Sequence, residues 1–171
     1  MDPHREPRAI DDRQVLEFFV AGLQDVSEPN VAKKELLYNA SVLAHYAQVS
    51  THTASDLPTP ATLGVVFDHF VLDTTLHQDS EMLEAAGAQC LLLAGFFEDQ
   101  MRDRHNIGYF SALGAGFYSR AASRSNSRHR SSLLDTISHH FEPWRRRHAR
   151  LSRELRDRVY LLIPPSPPAI M

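Results

Sequence analysis

The sequence predicts an all-α, single-domain bundle of six or seven helices. Three observations carry this. Apolar residues recur at steps of three and four through most of the chain, which places them along one side of a helix. No strand-like alternation leads into a hairpin turn. Two segments, 36–47 and 85–97, are apolar over more than one helical face, as helices at the centre of a bundle must be. The length of 171 residues suits one domain. A domain of that size buries roughly 70% of its unfolded surface, so a core forms without metal or disulfide staples.

Residues 1–10 hold two prolines and little apolar content, and are expected to be a flexible arm before a helical domain spanning 11–163. Asp11 or Asp12 can cap the first helix, because a carboxylate accepts the orphan amide protons of a first turn. Val15, Leu16, Phe19, Val20 and Leu23 form its stripe, widened by Phe18. Ser27-Glu28-Pro29 reads as the start of the second helix, with Ser27 as cap, Glu28 at the positive end and Pro29 where no amide proton is needed. That helix runs to about Val49. Leu36, Ala40, Leu43 and Ala47 make one stripe, and Tyr38, Val42, His45 and Val49 make another.

Residues 51–60 read as a loop containing Pro58 and Pro60. Segment 62–72 carries both kinds of signal. Val65, Val66 and Val71 favour a strand, while the spacing of Leu63, Phe67 and Phe70 favours a helix, the reading adopted. A polar turn at 77–79 leads to an apolar helix from about Ser80 to Glu98. A connector at 101–106 precedes a helix at 107–123, with Phe110, Leu113, Phe117 and Ala121 on one face. After a polar break at 123–127, Leu133, Leu134, Ile137 and Phe141 define a helix that ends or kinks at Pro143. Trp144, His148, Leu151, Leu155, Val159 and Leu162 stripe the last helix. The Pro-rich tail, 164–171, is expected to be extended.

Cys90 is the one cysteine, which excludes an intrachain disulfide and a Cys-based zinc site. The first residues are polar and lack the apolar stretch of a secretory signal. The run 85–97, broken only by Gln89, is shorter than the ~20 residues needed to cross a bilayer. A cytoplasmic location without membrane insertion is expected.

The net charge of −3 hides a strong asymmetry. Residues 1–119 hold 7 basic and 17 acidic side chains, a balance of −10, whereas residues 120–158 hold 11 arginines and 4 acids, a balance of +7. On the last helix Arg146, Arg150 and Arg153 fall on one face with Asp157, flanked by Arg147 and Arg158. Guanidinium groups bind carboxylates and phosphates bidentately, so such a row can serve an acidic protein or a nucleic-acid backbone. It can equally be a solvated outer face, or pair with the acidic portion of the same chain.

Between Gly87 and Arg120, the residues Leu91-Leu92-Leu93-Ala94-Gly95-Phe96-Phe97, then Tyr109, Leu113-Gly114 and Tyr118, resemble a group of uncharacterised bacterial all-helical proteins. In that group an apolar helix ends in a Gly-Phe-Phe turn and an aromatic, glycine-bearing helix follows. The resemblance implies a helical fold and a bacterial lineage, and no activity. Gly95 permits close backbone approach or a left-handed turn. Gly108, Gly114 and Gly116 each weaken a helix by about 1 kcal/mol relative to alanine, and close contact with a neighbouring helix is the expected return.

No G-x-x-x-x-G-K-[ST], G-x-S-x-G or H-E-x-x-H occurs. Gly114-Ala115-Gly116 lacks the third glycine of a dinucleotide loop, because Ser119 stands there. Di-iron bundles need paired Glu-x-x-His units, and none is present. His45 has no acid three or four residues on, and the only one for His52 is Asp56, in the expected loop. His69 with Asp73, and Asp135 with His139, have the spacing of simple helix-face pairs. His139 and His140 are adjacent and point apart. Cys90 reads as a small hydrophobe within its apolar run.

The resulting expectation is a non-catalytic helical protein, with no metal or cofactor, that binds an acidic protein through Arg146, Arg147, Arg150 and Arg153. Nucleic-acid binding by the same arginines is the alternative. A second is an enzyme or small-ligand binder whose site, involving His45 or His69, has no recognisable motif.

Overall fold

The computed structural model describes residues 12–52, 79–103 and 105–161. Among these residues there are seven α-helices and no strand: α1 (Asp12–Asp25), α2 (Lys33–His52), α3 (Ser80–Leu91), α4 (Glu98–Met101), α5 (Ile107–Arg124), α6 (Arg128–His139) and α7 (Phe141–Leu161). A π-helical turn, Leu92–Phe96, continues α3. The all-α expectation holds. The arm at 1–10, segment 62–72 and the tail at 164–171 lie outside the described residues.

Side-chain caps begin several helices. Asp79 accepts the amide of Glu81 at 2.9 Å, Asn106 that of Tyr109 at 3.2 Å, and Ser127 that of Arg130 at 3.3 Å. Each satisfies a donor that has no partner inside its helix. Ser27 behaves differently from expectation. Its hydroxyl donates to the Leu23 carbonyl at 2.6 Å, closing α1. The amide of Val31 then bonds the Glu28 carbonyl at 3.1 Å, so the chain turns at Pro29-Asn30 and α2 starts only at Lys33. Lys33 lies six residues beyond Ser27, so the Ser27 oxygen is too far from the first-turn amides of α2 to cap them.

Two other boundaries also move. Helix α2 continues to His52, past the expected start of the loop at 51. Helix α6 ends at His139, so Phe141 opens α7 and Pro143 lies in the first turn of that helix. An amide proton has no intrahelical acceptor there, so proline fits without a kink.

Helices α3 and α5 pack most extensively, followed by α5 with α6 and α1 with α2, while α7 lies on the π turn. Leu23, Leu43, Leu83, Leu91, Leu93, Tyr118, Leu134, Ile137, Phe141, Trp144 and Leu151 are fully buried in one core. Burying each large apolar side chain contributes about 1.5–3 kcal/mol. A Cβ at Gly114 would lie 2.5 Å from the Phe141 ring and 2.6 Å from the Cβ of Cys90. The expected close contact is therefore made at Gly114. It is not made at Gly116, where nothing comes within 4 Å of such a Cβ, nor at Gly108, whose nearest neighbour is its own helix cap, Asn106.

The Leu-Leu-Ala-Gly-Phe turn positions α7. The amide of Phe97 bonds the Leu92 carbonyl at 2.9 Å, five residues back, as in a π turn. A Cβ at Gly95 would lie 2.9 Å from His148 Cβ and 3.0 Å from the Arg145 carbonyl oxygen. No described glycine has positive φ, so Gly95 supplies close helix approach and not a left-handed turn.

Candidate functional site

Helix α7 has two unlike faces. On the inner one, Arg145 is almost fully buried, and its Nη1 donates to the Ala94 carbonyl at 3.1 Å and to Glu98 Oε1 at 3.2 Å. Its Nε donates to Glu142 Oε2 at 3.0 Å, and its Nη2 bonds Glu142 Oε1. These hydrogen bonds hold the Glu142 carboxyl down at about 2, with help from the Ser111 hydroxyl at 2.7 Å. Glu142 in turn raises the guanidinium pKa of Arg145.

One turn further on, His148 is completely buried, and its Nε2 donates to Asn39 Oδ1 at 2.8 Å. That bond puts the proton on Nε2 and leaves Nδ1 as a buried acceptor without a partner among the described residues. Burial lowers the imidazole pKa to about 3, so the ring is neutral. Asn39 donates to the Glu35 carbonyl at 2.8 Å. The Glu35 carboxylate, itself buried, accepts from His140 Nδ1 at 2.6 Å and Trp144 Nε1 at 3.1 Å. The Asn39–His148 and Glu35–Trp144 bonds tie α2 to α7 inside the apolar core, and half-exposed His140 adds a link just before α7. The sequence signal for them is Glu35 and Asn39, four apart on a helix otherwise apolar on both faces.

The outer face carries the four arginines singled out as partner-binding residues. Arg146 and Arg150 are 73% and 65% exposed, and among the described residues they pair with Glu142 at 3.4 Å and Glu154 at 3.8 Å on the same helix. Arg147 lies over the Trp144 ring, 4.4 Å from its centroid. Arg153 stands apart from these three. It bonds Glu98 at 2.8 Å and Asp99 at 3.2 Å, and neighbouring Arg156 also pairs with Asp99. Hydrogen bonds from Arg153 and then Arg156 lower the Asp99 pKa. The basic C-terminal portion thus pairs with the acidic portion through Arg130, Arg145, Arg153 and Arg156.

A groove of about 510 Å³ runs between α2 and α3, a volume ordinary for a small-molecule site. Val42, Ala85, Ala88 and Leu92 line it, with Tyr38, His45, Glu84 and Arg130 among its polar groups. Tyr118 donates to Tyr38 at 3.1 Å, Tyr38 donates to Glu84 Oε1 at 3.0 Å, and Arg130 bonds the same oxygen. Burial raises the pKa of both tyrosines. Each of these four side chains has a partner in the series, Glu84 through Oε1 alone, and His45 makes no hydrogen bond with them.

His69 and His52 side chains lie outside the description. His139 Nδ1 donates to the Asp135 carbonyl at 2.8 Å, with the carboxylate at 3.7 Å. Cys90 is fully buried, which pushes its thiol pKa up and disfavours the thiolate. Among the described residues no three His, Cys, Asp or Glu side chains gather as a metal ion needs, and no helix is long and apolar enough to cross a membrane. The chain matches no family model, no curated protein and no solved structure.

Proposed function

We propose that this is a non-catalytic, cytoplasmic bacterial interaction protein that binds an acidic protein through Arg146, Arg147 and Arg150 on α7, with Arg153 at the margin. The bacterial and cytoplasmic parts rest on the Leu-Ala-Gly-Phe-Phe resemblance and on composition. The binding surface rests on the exposure of Arg146 and Arg150, whose ion pairs among the described residues are with same-helix carboxylates 44% and 37% exposed. Such pairs contribute about 0–1 kcal/mol, so a partner's carboxylates can replace them at little cost. Arg147 is better fixed, because its stacking on Trp144 limits its freedom before any partner arrives. Arg153 already has two carboxylates and must leave them to join.

The test is a pull-down from bacterial lysate, with and without nuclease, using wild type and the Arg146→Glu/Arg150→Glu double variant. Helicity by circular dichroism controls for folding. The expected result is a nuclease-resistant acidic protein that wild type holds, that the variant loses, and whose binding weakens as salt rises. Retention of nucleic acid by wild type alone, with a steep salt dependence, would establish the alternative reading. Equal retention by both proteins, or none by either, removes the surface from consideration.

A further inference from the structure

The groove between α2 and α3 has a charged end and an uncharged, more apolar end, which His45 and Gln89 also line. Tyr38 on α2 meets Glu84 on α3 through a 3.0 Å hydrogen bond. Tyr46, two turns further along α2, stands 5.4 Å by ring centroid from Phe97, beyond the C-terminal end of α3, and lines the groove together with Leu92. The two walls therefore run in the same direction. Glu81, Glu84, Tyr38 and Arg130 gather at one end, Val42, Ala85 and Ala88 lie between, and Tyr46 and Leu92 close the other. The eight residues from Tyr38 to Tyr46 span about 12 Å of helix.

The polar end is unevenly satisfied. Arg130 and Tyr38 both bond Oε1 of Glu84, leaving Oε2 without a partner among the described residues, although the side chain is only 16% exposed. Glu81, one turn earlier on the same helix face, has no side-chain partner among them either. Arg130 cancels one carboxylate, so Glu81, Glu84 and Arg130 together carry a formal charge of −1 at neutral pH. A second anion would meet that surplus. A cation would neutralise it and fill the vacant acceptors.

We propose that this groove is a binding site for an amphipathic organic amine. Its ammonium group sits between Glu81 and Oε2 of Glu84, and its alkyl or aryl body of up to ~12 Å lies along Val42, Ala85 and Ala88 toward Leu92. Ammonium donors match carboxylate acceptors at charge-assisted distances, and the body gains by leaving water. This site is separate from the arginine row on α7, and neither proposal depends on the other.

Octylamine, octanoate and octanol have the same apolar body and differ in head charge. Titrating each into the isotope-labelled full chain, below self-association, separates head from body by amide and methyl NMR shifts. Octylamine should shift Val42, Ala85, Ala88 and Leu92 and bind at least tenfold tighter than octanoate. Glu81→Gln should weaken octylamine severalfold and leave octanol unchanged. Ala85→Trp, a substitution at an exposed position of the wall, should abolish binding of all three while helicity is retained. Octanoate binding as tightly as octylamine, shifts elsewhere on the surface, or octylamine binding that survives Ala85→Trp would each overturn the proposal.

Discussion

Arg145 and Arg146 are neighbours in sequence and share almost nothing else. Arg145 enters the interior, where it bonds a carbonyl of the π turn and two carboxylates. Arg146 points to water and meets one half-exposed carboxylate at 3.4 Å. A step of one residue turns a helix by about 100°, so adjacent arginines occupy different dielectric environments. The inner face of α7 is fastened by specific polar bonds, and the outer face is left adjustable. Charge count therefore says little about an arginine's role, whereas its angular position on the helix says much.

Replacing Arg145 by Ala tests this contrast most severely. The Ala94 carbonyl and Glu98 would lose a buried partner, and Glu142 its closest one. The expected loss is about 3 kcal/mol of unfolding free energy, near the lower end for breaking a buried ion pair because Glu142 is partly solvated. Arg146→Ala should stay within about 0.5 kcal/mol of wild type. Urea denaturation of both variants checks the difference, and equal losses would erase the distinction between the faces.

The same inner face should make the fold acid-sensitive. His148 titrates near 3 in the folded chain because burial disfavours its charged form, against 6.5 for an ordinary histidine. The unfolded chain therefore binds the proton first, and the stability present above pH 6.5 is lost as pH falls toward 3. The slope from this one residue is at most about 1.4 kcal/mol per pH unit. Glu142 adds a smaller loss below its ordinary value of 4.5, moderated by solvent. Thermal melts between pH 7 and 5, before most carboxylates titrate, follow the ten histidines of the chain, and the His148 variant separates its share. His148→Gln should flatten that part of the profile, and an unchanged slope would show that His148 is not the cause.

The elements most legible in the sequence were those with a single apolar stripe and a clear terminus. Ser80 and Ile107 start helices where the spacing placed them, and Asp79 and Asn106 cap them with their side chains. Boundaries failed where a residue had two uses. Ser27 fits a cap by type, yet bonds backward to Leu23. Pro143 reads as a stop, yet a first turn accommodates it. The arginine row was legible as a row, but its division was not, because the partners of Arg145 and Arg153 lie about fifty residues away on the π turn and α4. The polar end of the groove was illegible for the same reason. Tyr38, Glu84, Tyr118 and Arg130 come from four helices, and no local spacing joins them.

Two glycines give the smallest and sharpest test, because alanine should act on them with opposite signs. Both Gly95 and Gly116 lie in helical backbone with ordinary φ, so neither needs glycine for its conformation. Gly95 faces the inner side of α7, where the new methyl would meet His148 Cβ at 2.9 Å and backbone oxygen at 3.0 Å. Neither neighbour is the free end of a flexible chain, so α7 must move, and Gly95→Ala should cost about 1–3 kcal/mol as overpacking does. Gly116 has nothing within 4 Å. Gly116→Ala adds no contact and removes freedom from the unfolded chain, so it should stabilise by about 0.4–1 kcal/mol. Melting temperatures of the two variants read the signs directly. Stabilisation by both would mean that α7 does not seat on the π turn as described, and the assignment of an inner face to Arg145 and His148 would fall with it.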